Sequence, residues 1–241
     1  GQAQLGHVPR GFPEAGSNPT ATLLNGTVKE HYHGSTVKMT GISTLGWAKY
    51  DVYFYGFSGN VTINGGNQQT CGKFDGANPE HRTKFIRGVN YVKFEGLSGD
   101  SFSMDFDQSN FSAVQIVNAS PSAKRESPES VGVSWTGGGP GLRPTDVVGA
   151  EVAANNWYTI NQYGVLAGGS PTVKHGLPGI CVDVFDRSSA QALKTQSLPG
   201  TARKASAFGY NSQARVFEDA VITTDAKSVR LFRTGPEGTP P

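Results

Sequence analysis

The sequence has little charge and no long apolar run. Charged residues make up 17% of the 241 residues, with Lys plus Arg at 21 against Asp plus Glu at 19. The resulting formal charge of +2 is too balanced for the basic surface that binds nucleic acid. No stretch reaches the roughly 18 apolar residues of a transmembrane helix. These absences argue against a nucleic-acid partner and against a membrane span.

Cysteine is also scarce. Cys71 and Cys181 lie in opposite halves of the chain. A disulfide between them would close a loop of about 110 residues and contribute about 4 to 5 kcal/mol in the chain-entropy model. The alternative is two buried thiols, and a pair of cysteines without histidine neighbours is poor evidence for a metal site. The sequence leaves both possibilities open.

Glycine and proline are abundant instead, with 32 Gly and 14 Pro. This composition is typical of many short strands joined by tight turns. The nearly continuous apolar run from Tyr50 to Phe57 predicts a central strand covered on both faces. Ser58-Gly59-Asn60 then predicts a hairpin turn into a strand at 61–63. The alternation in 35–40 predicts a strand with one solvent-facing side.

The predicted fold class is all-β, an antiparallel, jelly-roll-like β-sandwich. It is either one permuted sandwich or two small ones. An extended arm is predicted for 1–19, a sandwich domain for 20–119, a polar linker for 120–130, and a second β-rich segment for 131–241. Within the first domain, 21–24 and 27–32 are predicted as short strands around the turn dipeptide Asn25-Gly26.

Five stretches of the chain carry recognisable strand motifs. Three precede the predicted linker and read YDVYFY at 50–55, NYVKFEGLSGDSF at 90–102 and AVQIV at 113–117, and two follow it and read VGVSWTGGG at 131–139 and TDVVGAEVAANNW at 145–157. The first three resemble the second-half strands YDVYVY, NYVVFxGLxGxxF and GIQIV of a β-sandwich module found in secreted, multidomain proteins of environmental bacteria. The last two are similar to the first half of the same module. The two halves occur here in the reverse order, as if the module were permuted or cut out of register.

This resemblance implies that strands after the linker complete the sandwich, either in the same chain or in a neighbouring subunit. Completion in a neighbour would join subunits head to tail into a filament or tubule. We therefore expect a non-enzymatic, extracellular or cell-surface structural protein whose signal peptide has been removed. It is expected to self-assemble with copies of itself, as a filament, tubule or surface layer, through strand or arm exchange.

Motifs that carry chemistry are few and incomplete. His31 and His33 share a strand face without an assignable third ligand, and Asp105 and Asp107 complete no calcium loop. The glycine run at 137–141 lacks the Lys-Ser/Thr pair of a phosphate-binding loop. Ser134 has no assignable histidine and acid beside it. We expect no catalytic residue, no cofactor and no metal.

Carbohydrate binding is the alternative function. Aromatic side chains stack on sugar rings while amides bond the hydroxyls. The candidate residues for a glycan site are Trp157, Tyr158, Asn155 and Asn156. Other residues of suitable type are Trp47, Asn161, Gln162 and Tyr163. The Asn-x-Ser/Thr sites at Asn25, Asn60, Asn110 and Asn118 would matter only in a glycosylating compartment.

Overall fold

The computed structural model describes residues 6–7, 10–26, 28–29, 35–57, 59–106, 110–120, 130–136, 139–160, 181–186, 203–211, 216–222 and 229–233. Most of these residues form strands. The helices are α1 (Pro19–Asn25), α2 (Pro79–Thr83) and a 3-10 turn (Ile42–Leu45). The strands are β1 (Gly6–His7), β2 (Val28–Lys29), β3 (Ser35–Thr40), β4 (Tyr50–Gly56), β5 (Gly59–Ile63), β6 (Gln68–Cys71), β7 (Tyr91–Leu97), β8 (Ser101–Phe106), β9 (Asn110–Asn118), β10 (Ser130–Trp135), β11 (Trp157–Ile160), β12 (Cys181–Asp186), β13 (Arg203–Asn211), β14 (Val216–Ile222) and β15 (Val229–Arg233).

Two sheets form the sandwich. The seven-stranded sheet has the order β1-β2-β9-β10-β11, with β4 on the other edge of β9 and β7 beyond β4. All its pairings are antiparallel except β10 with β11. The five-stranded sheet has the order β12-β3-β8-β5-β6, and β13, β14 and β15 form a separate three-stranded sheet. The prediction of an all-β sandwich is confirmed.

The main core lies between the two large sheets. Val52 and Phe54 of β4 pack in one buried cluster with Met104 and Phe106 of β8. The ring centroids of Phe54 and Phe106 are 5.3 Å apart. In β3, Val37 and Met39 are buried in this core while Lys38 between them is exposed. The predicted one-sided strand at 35–40 is therefore confirmed.

The opposite face of the seven-stranded sheet is covered as well. Tyr53 and Tyr55 of β4 belong to a second buried cluster that includes Leu23 and Leu24 of α1. Residues 139–156, which we call the covering loop, add Leu142 and other apolar side chains to this cluster. Every β4 residue except Asp51 is buried. The prediction of a central strand covered on both faces is confirmed.

The predicted hairpin between β4 and β5 is wrong. β4 pairs with β7 along one edge and with β9 along the other, so neither edge remains for β5. The chain instead crosses to the other sheet after Gly56, where β5 pairs with β6 and β8. Gly59 at the crossing has a φ of +75°, a conformation that favours glycine.

Residues 19–25 form α1 and not the strand predicted at 21–24. Asn18 caps the helix because its side chain accepts a hydrogen bond from the Ala21 amide, and Pro19 occupies the first turn. Proline suits that position because its missing N–H would have no partner there. Gly26 ends the helix against the Trp135 carbonyl, where an added Cβ would lie 1.3 Å from the oxygen. Of the predicted strand at 27–32, only β2 lies among the described residues.

Strands from beyond the predicted linker join both sheets of the same chain. β10 pairs with β9, and β12 pairs with β3 from Cys181 opposite Thr40 to Asp186 opposite Ser35. Each of the two large sheets therefore includes at least one strand from beyond the predicted linker. Residues 121–129 lie outside the described residues.

Candidate functional site

Residues 10–18, which we call the N-terminal segment, dock on the surface of the sandwich. The prolines predict an extended arm, but residues 13–17 form turns that lead into α1. The Arg10 amide donates to the Asn25 carbonyl at 2.9 Å, and the Phe12 amide donates to the Asn25 side-chain oxygen at 2.8 Å. The segment therefore folds back along its own helix.

Arg10 is the first anchor of this segment. Its Cζ atom lies 3.5 Å from the centroid of the Phe57 ring, and its Nη1 donates to the Leu24 carbonyl at 2.9 Å. The residue as a whole is half-buried, yet its guanidinium is desolvated, and this burial lowers the pKa of Arg10 below its ordinary value. A desolvated guanidinium over an aromatic face makes a stronger cation–π contact than an exposed one.

Phe12 is the second anchor. Its side chain is 9% exposed, and its ring centroid lies 5.9 Å from that of Phe74. Phe74 in turn stacks on Phe57 with 3.5 Å between ring centroids and 6° between ring planes. A continuous row of cation–π and aromatic contacts, from Arg10 through Phe57 and Phe74 to Phe12, therefore joins the segment to the sandwich.

Glu14 is the third anchor. Its carboxylate accepts from Arg82 Nη2 at 2.7 Å and from Arg82 Nε at 3.0 Å, in the paired geometry that suits Arg and carboxylate. The Arg82 side chain is 11% exposed and that of Glu14 is 26% exposed. The hydrogen bond from Arg82 lowers the pKa of Glu14, and the bond to Glu14 raises the pKa of Arg82. We call Phe57, Phe74 and Arg82 the docking site of the segment.

A second polar cluster surrounds Lys93 on the covered face of the seven-stranded sheet. Its Nζ lies 2.8 Å from Glu95, 3.1 Å from Glu151 and 3.2 Å from Asp51. Burial alone would lower the pKa of Lys93, but hydrogen bonds to Glu95, Glu151 and Asp51 outweigh that effect and raise it. The three carboxylates therefore favour the charged ammonium form of Lys93.

Glu151 connects this cluster to the covering loop. Its two carboxylate oxygens accept from the hydroxyls of Tyr53 and Tyr91, each at 3.2 Å. Burial alone would raise the pKa of Glu151, but the bonds from Lys93, Tyr91 and Tyr53 lower it. The cluster fastens the loop to the sheet through charged hydrogen bonds.

The residues predicted to bind glycan do not form an open aromatic platform. Trp157 is 1% exposed, and its Nε1 donates to the carbonyls of Val148 and Ala154. Tyr158 is 5% exposed and packs in the core between the sheets. Neither ring presents a face to solvent for stacking on a sugar.

The neighbouring asparagines have other environments. Asn155 is exposed, whereas Asn156 is half-buried. The Asn156 carbonyl accepts from the Gly132 amide at 2.9 Å, and its side chain donates to the Ser130 carbonyl at 3.4 Å. Asn156 therefore fixes the start of β11 against β10.

Of the two possibilities that the sequence left open for Cys71 and Cys181, a disulfide or buried thiols, the structure does not support the disulfide. Cys71 is a buried thiol whose Sγ donates to the Gly56 carbonyl at 2.7 Å. Cys71 lies in β6 and Cys181 in β12, at opposite edges of the five-stranded sheet. Four strand spacings of about 4.8 Å separate these edges, far beyond the roughly 7 Å that a disulfide spans.

The predicted metal candidates are not brought together in the described residues. Asp105 accepts a hydrogen bond from Thr36 on the neighbouring strand, while His31, His33 and Asp107 lie outside the described residues, as do Asn161, Gln162 and Tyr163. Within the described ranges, no group of three or more His, Cys, Asp or Glu side chains is placed to hold a metal ion.

The anchors of the N-terminal segment were missed by sequence reasoning. Arg10, Phe12 and Glu14 alternate at every second position in a stretch whose prolines and glycines dominate the pattern. That alternation is the one signal that could have identified a docked face. Their partners lie 47 to 68 residues further along the chain, at Phe57, Phe74 and Arg82, a separation that no local pattern predicts.

The chain was compared with family models, curated proteins and solved structures, and none of them matches it. Among the described residues, no helix has the length and apolar character needed to cross a membrane.

Proposed function

We propose that this protein is a non-enzymatic, extracellular structural protein that assembles with copies of itself by exchanging its N-terminal segment. One observation carries the proposal: residues 10–18 are held on the sandwich by separate side-chain anchors at Arg10, Phe12 and Glu14. Each anchor contacts the docking site, which belongs to a distant part of the chain.

An exchanged segment makes the same contacts with a neighbouring subunit as it makes with its own chain. Exchange therefore costs little contact energy and is a common route to association. When each subunit gives its segment to the next one, the contact is head to tail, and a head-to-tail contact that does not close produces a filament. Exchange of the segment is favoured over completion of the sheets in a neighbour, because β10 and β12 already pair within the chain.

The polar clusters support a structural role. Lys93, Glu151 and their tyrosine partners fasten the covering loop, and Glu14 with Arg82 fastens the segment. The low charge of the sequence and its abundance of Ser and Thr support an extracellular surface.

Charge reversal of the ion pair tests the exchange. Glu14→Arg and Arg82→Glu each place like charges at the docking site, so each variant alone is expected to lose the filaments that the wild type forms in negative-stain electron microscopy. Mixing the two variants should restore filaments, because the segment with the introduced arginine then meets the docking site with the introduced glutamate on another chain. The double variant E14R/R82E should also assemble.

The mixture distinguishes exchange from docking within one chain. If docking stays within the chain, the double variant recovers the wild-type thermal stability but the mixture of single variants does not assemble. Lys84→Glu is a matched control. Lys84 directly follows α2, the helix that contains Arg82, and makes an exposed ion pair with Glu80. A wild-type protein that stays monomeric at every concentration would overturn the proposal.

A further inference from the structure

A short loop, residues 75–78, connects two parts of the docking site. Phe74 directly precedes this loop, and Arg82 lies in α2, the helix that follows it. Arg82 Nη1 donates to the Gly76 carbonyl at 2.6 Å, while Nε and Nη2 of the same side chain bond Glu14. The conformation of the 75–78 loop therefore sets the position of Phe74 relative to Arg82.

His81 makes a second bond from α2 to this loop. Its Nδ1 accepts from the Asp75 backbone amide at 2.9 Å, and its ring centroid lies 5.8 Å from that of Phe74. A neutral imidazole has one N–H and one acceptor nitrogen, so acceptance at Nδ1 requires the ring proton on Nε2. The bond thus selects the neutral ring and one of its two tautomers.

Protonation of His81 removes this bond. An imidazolium carries a hydrogen on both ring nitrogens, so the Asp75 amide would then face another donor. Histidine changes its charge between about pH 5 and 8. Glu14 keeps its negative charge in that range, because the hydrogen bond from Arg82 lowers its pKa from 4.5. The bond to the loop is therefore lost while the ion pair of Glu14 with Arg82 persists.

The charged groups around His81 oppose this effect only weakly. They are Lys73 and Asp75 on either side of Phe74, Glu80, Arg82 and Lys84 on or next to α2, and Glu14 of the N-terminal segment. Asp75 Oδ1 accepts from the Ala77 amide, and Glu80 pairs with Lys84. Both carboxylates are exposed, so water and salt screen their attraction for an imidazolium. α1, which also packs against α2, has no charged residue.

We propose that His81 is a pH-sensitive latch on the docking site, and that its protonation in mild acid loosens the 75–78 loop and releases the N-terminal segment. The docked state holds the neutral ring, so docking is complete above the range in which histidine titrates and weakens as pH falls through it. The latch acts on docking within one chain. Its consequence for assembly, which is to free segments for exchange, rests on the proposed function.

Hydrogen exchange of the Phe12 amide, followed by NMR, measures release of the segment. This buried amide donates to the Asn25 side-chain oxygen at 2.8 Å and exchanges when that bond opens. After correction for the intrinsic pH dependence of exchange, its protection should fall about three- to tenfold between about pH 7.5 and 5.5, the effect of one lost hydrogen bond. The amide of Phe54 in the central strand is the reference and should keep its protection.

Two variants separate His81 from a neighbouring histidine. His81→Gln keeps a side-chain oxygen that can accept from the Asp75 amide but does not titrate, so the protection of Phe12 should no longer depend on pH in this range. His7→Gln is the matched control, because His7 lies in β1, shortly before Arg10. It should behave as the wild type does. Thermal melting of each variant confirms that it is folded.

Nitrogen-15 NMR of the imidazole of His81 tests the latch in the wild type without any variant. At neutral or slightly alkaline pH the ring should show a protonated Nε2 and an unprotonated Nδ1. The Asp75 amide signal should shift with the same midpoint as the ring. A ring protonated on Nδ1 alone would overturn the inference. So would protection of Phe12 that stays constant on acidification, or that falls equally in folded His81→Gln.

Failure of the proposed function gives a different result from failure of the latch. If mixtures of Glu14→Arg and Arg82→Glu never assemble, exchange between chains is excluded, but the loss of Phe12 protection in the monomeric wild type still reports the latch. If the mixtures assemble and the protection of Phe12 does not respond to pH, exchange stands and the latch is excluded.

Discussion

The Tyr55 hydroxyl donates a hydrogen bond to the Gln115 side-chain oxygen at 2.7 Å, between the neighbouring strands β4 and β9. Both residues have no exposed surface. The same hydroxyl accepts from the Ala150 amide at 3.0 Å, and Gln115 Nε2 donates to the Val152 carbonyl at 3.0 Å. This network joins the covering loop to the sheet without any charge.

Removing the Tyr55 hydroxyl should therefore destabilise the fold. Tyr55→Phe leaves the Ala150 amide and the Gln115 oxygen without this partner in a buried site, which should lower the free energy of unfolding by about 2 kcal/mol. Urea denaturation measures the change. Tyr53→Phe is the matched control, because the Tyr53 hydroxyl bonds the partly exposed Glu151 and should cost less. Equal losses for the two variants would contradict the assignment.

Gly132 should not tolerate a side chain. A Cβ at this position would lie 2.3 Å from the Trp157 ring, so Gly132→Ala forces either the ring or β10 to move. We expect a loss of about 1 to 3 kcal/mol of unfolding free energy, typical of overpacked cores. Gly66→Ala meets only the Ile63 carbonyl at 3.8 Å and should have little effect in the same denaturation experiment. A Gly132→Ala protein as stable as the wild type would show that the two strands are not packed this closely.

Acid should weaken the attachment of the covering loop. The pKa of Glu151 is lowered in the folded protein, so its contribution to stability is present above its unfolded pKa, near 4.5, and is lost as pH falls through the folded pKa. Glu14 behaves in the same direction. Glu151→Gln should therefore flatten the decline of unfolding free energy with acid below about pH 4.5. If the unfolding free energy of Glu151→Gln declined in acid in parallel with that of the wild type, the stabilising role of Glu151 in this cluster would be contradicted.

Alkaline pH tests Lys93, the partner of Glu151 in this cluster. The pKa of Lys93 is raised from its ordinary 10.5, so its stabilising contribution is complete below that value and is lost as pH rises through the folded pKa. Lys93→Met should remove this alkaline component of the unfolding curve. The signature would be a smaller difference in unfolding free energy between neutral and strongly alkaline solution than in the wild type.

Cys71 should resist thiol reagents in the folded protein. Its sulfur is buried against the Gly56 carbonyl, so alkylation requires unfolding. Peptide mapping without reductant should recover the Cys71 peptide unmodified from native protein and alkylated from protein in guanidinium. A cross-linked peptide containing Cys71 and Cys181 would contradict the strand order of the five-stranded sheet.

Local pattern was enough to predict individual strands. The apolar run of β4 indicated burial on both faces. The alternation at 35–40 indicated one solvent-facing side, because the side chains of a strand alternate between its two sides. The local pattern failed at α1, where Asn18 and Pro19 supply a helix start that the apolar residues 21–24 did not reveal. It also left open whether Cys71 and Cys181 are bonded, because strand order in a sheet is not encoded by spacing along the chain.

The sequence by itself determined the fold class of this protein, since glycine and proline content, short apolar runs and alternation all act over a few residues. Only the tertiary structure decided which strands pair, that β5 crosses to the second sheet, and that Trp157 is buried. It alone brought Glu14 to Arg82 and Arg10 to Phe57. Such contacts depend on which edges and faces remain open after the central strands have paired, and that competition involves the whole chain at once.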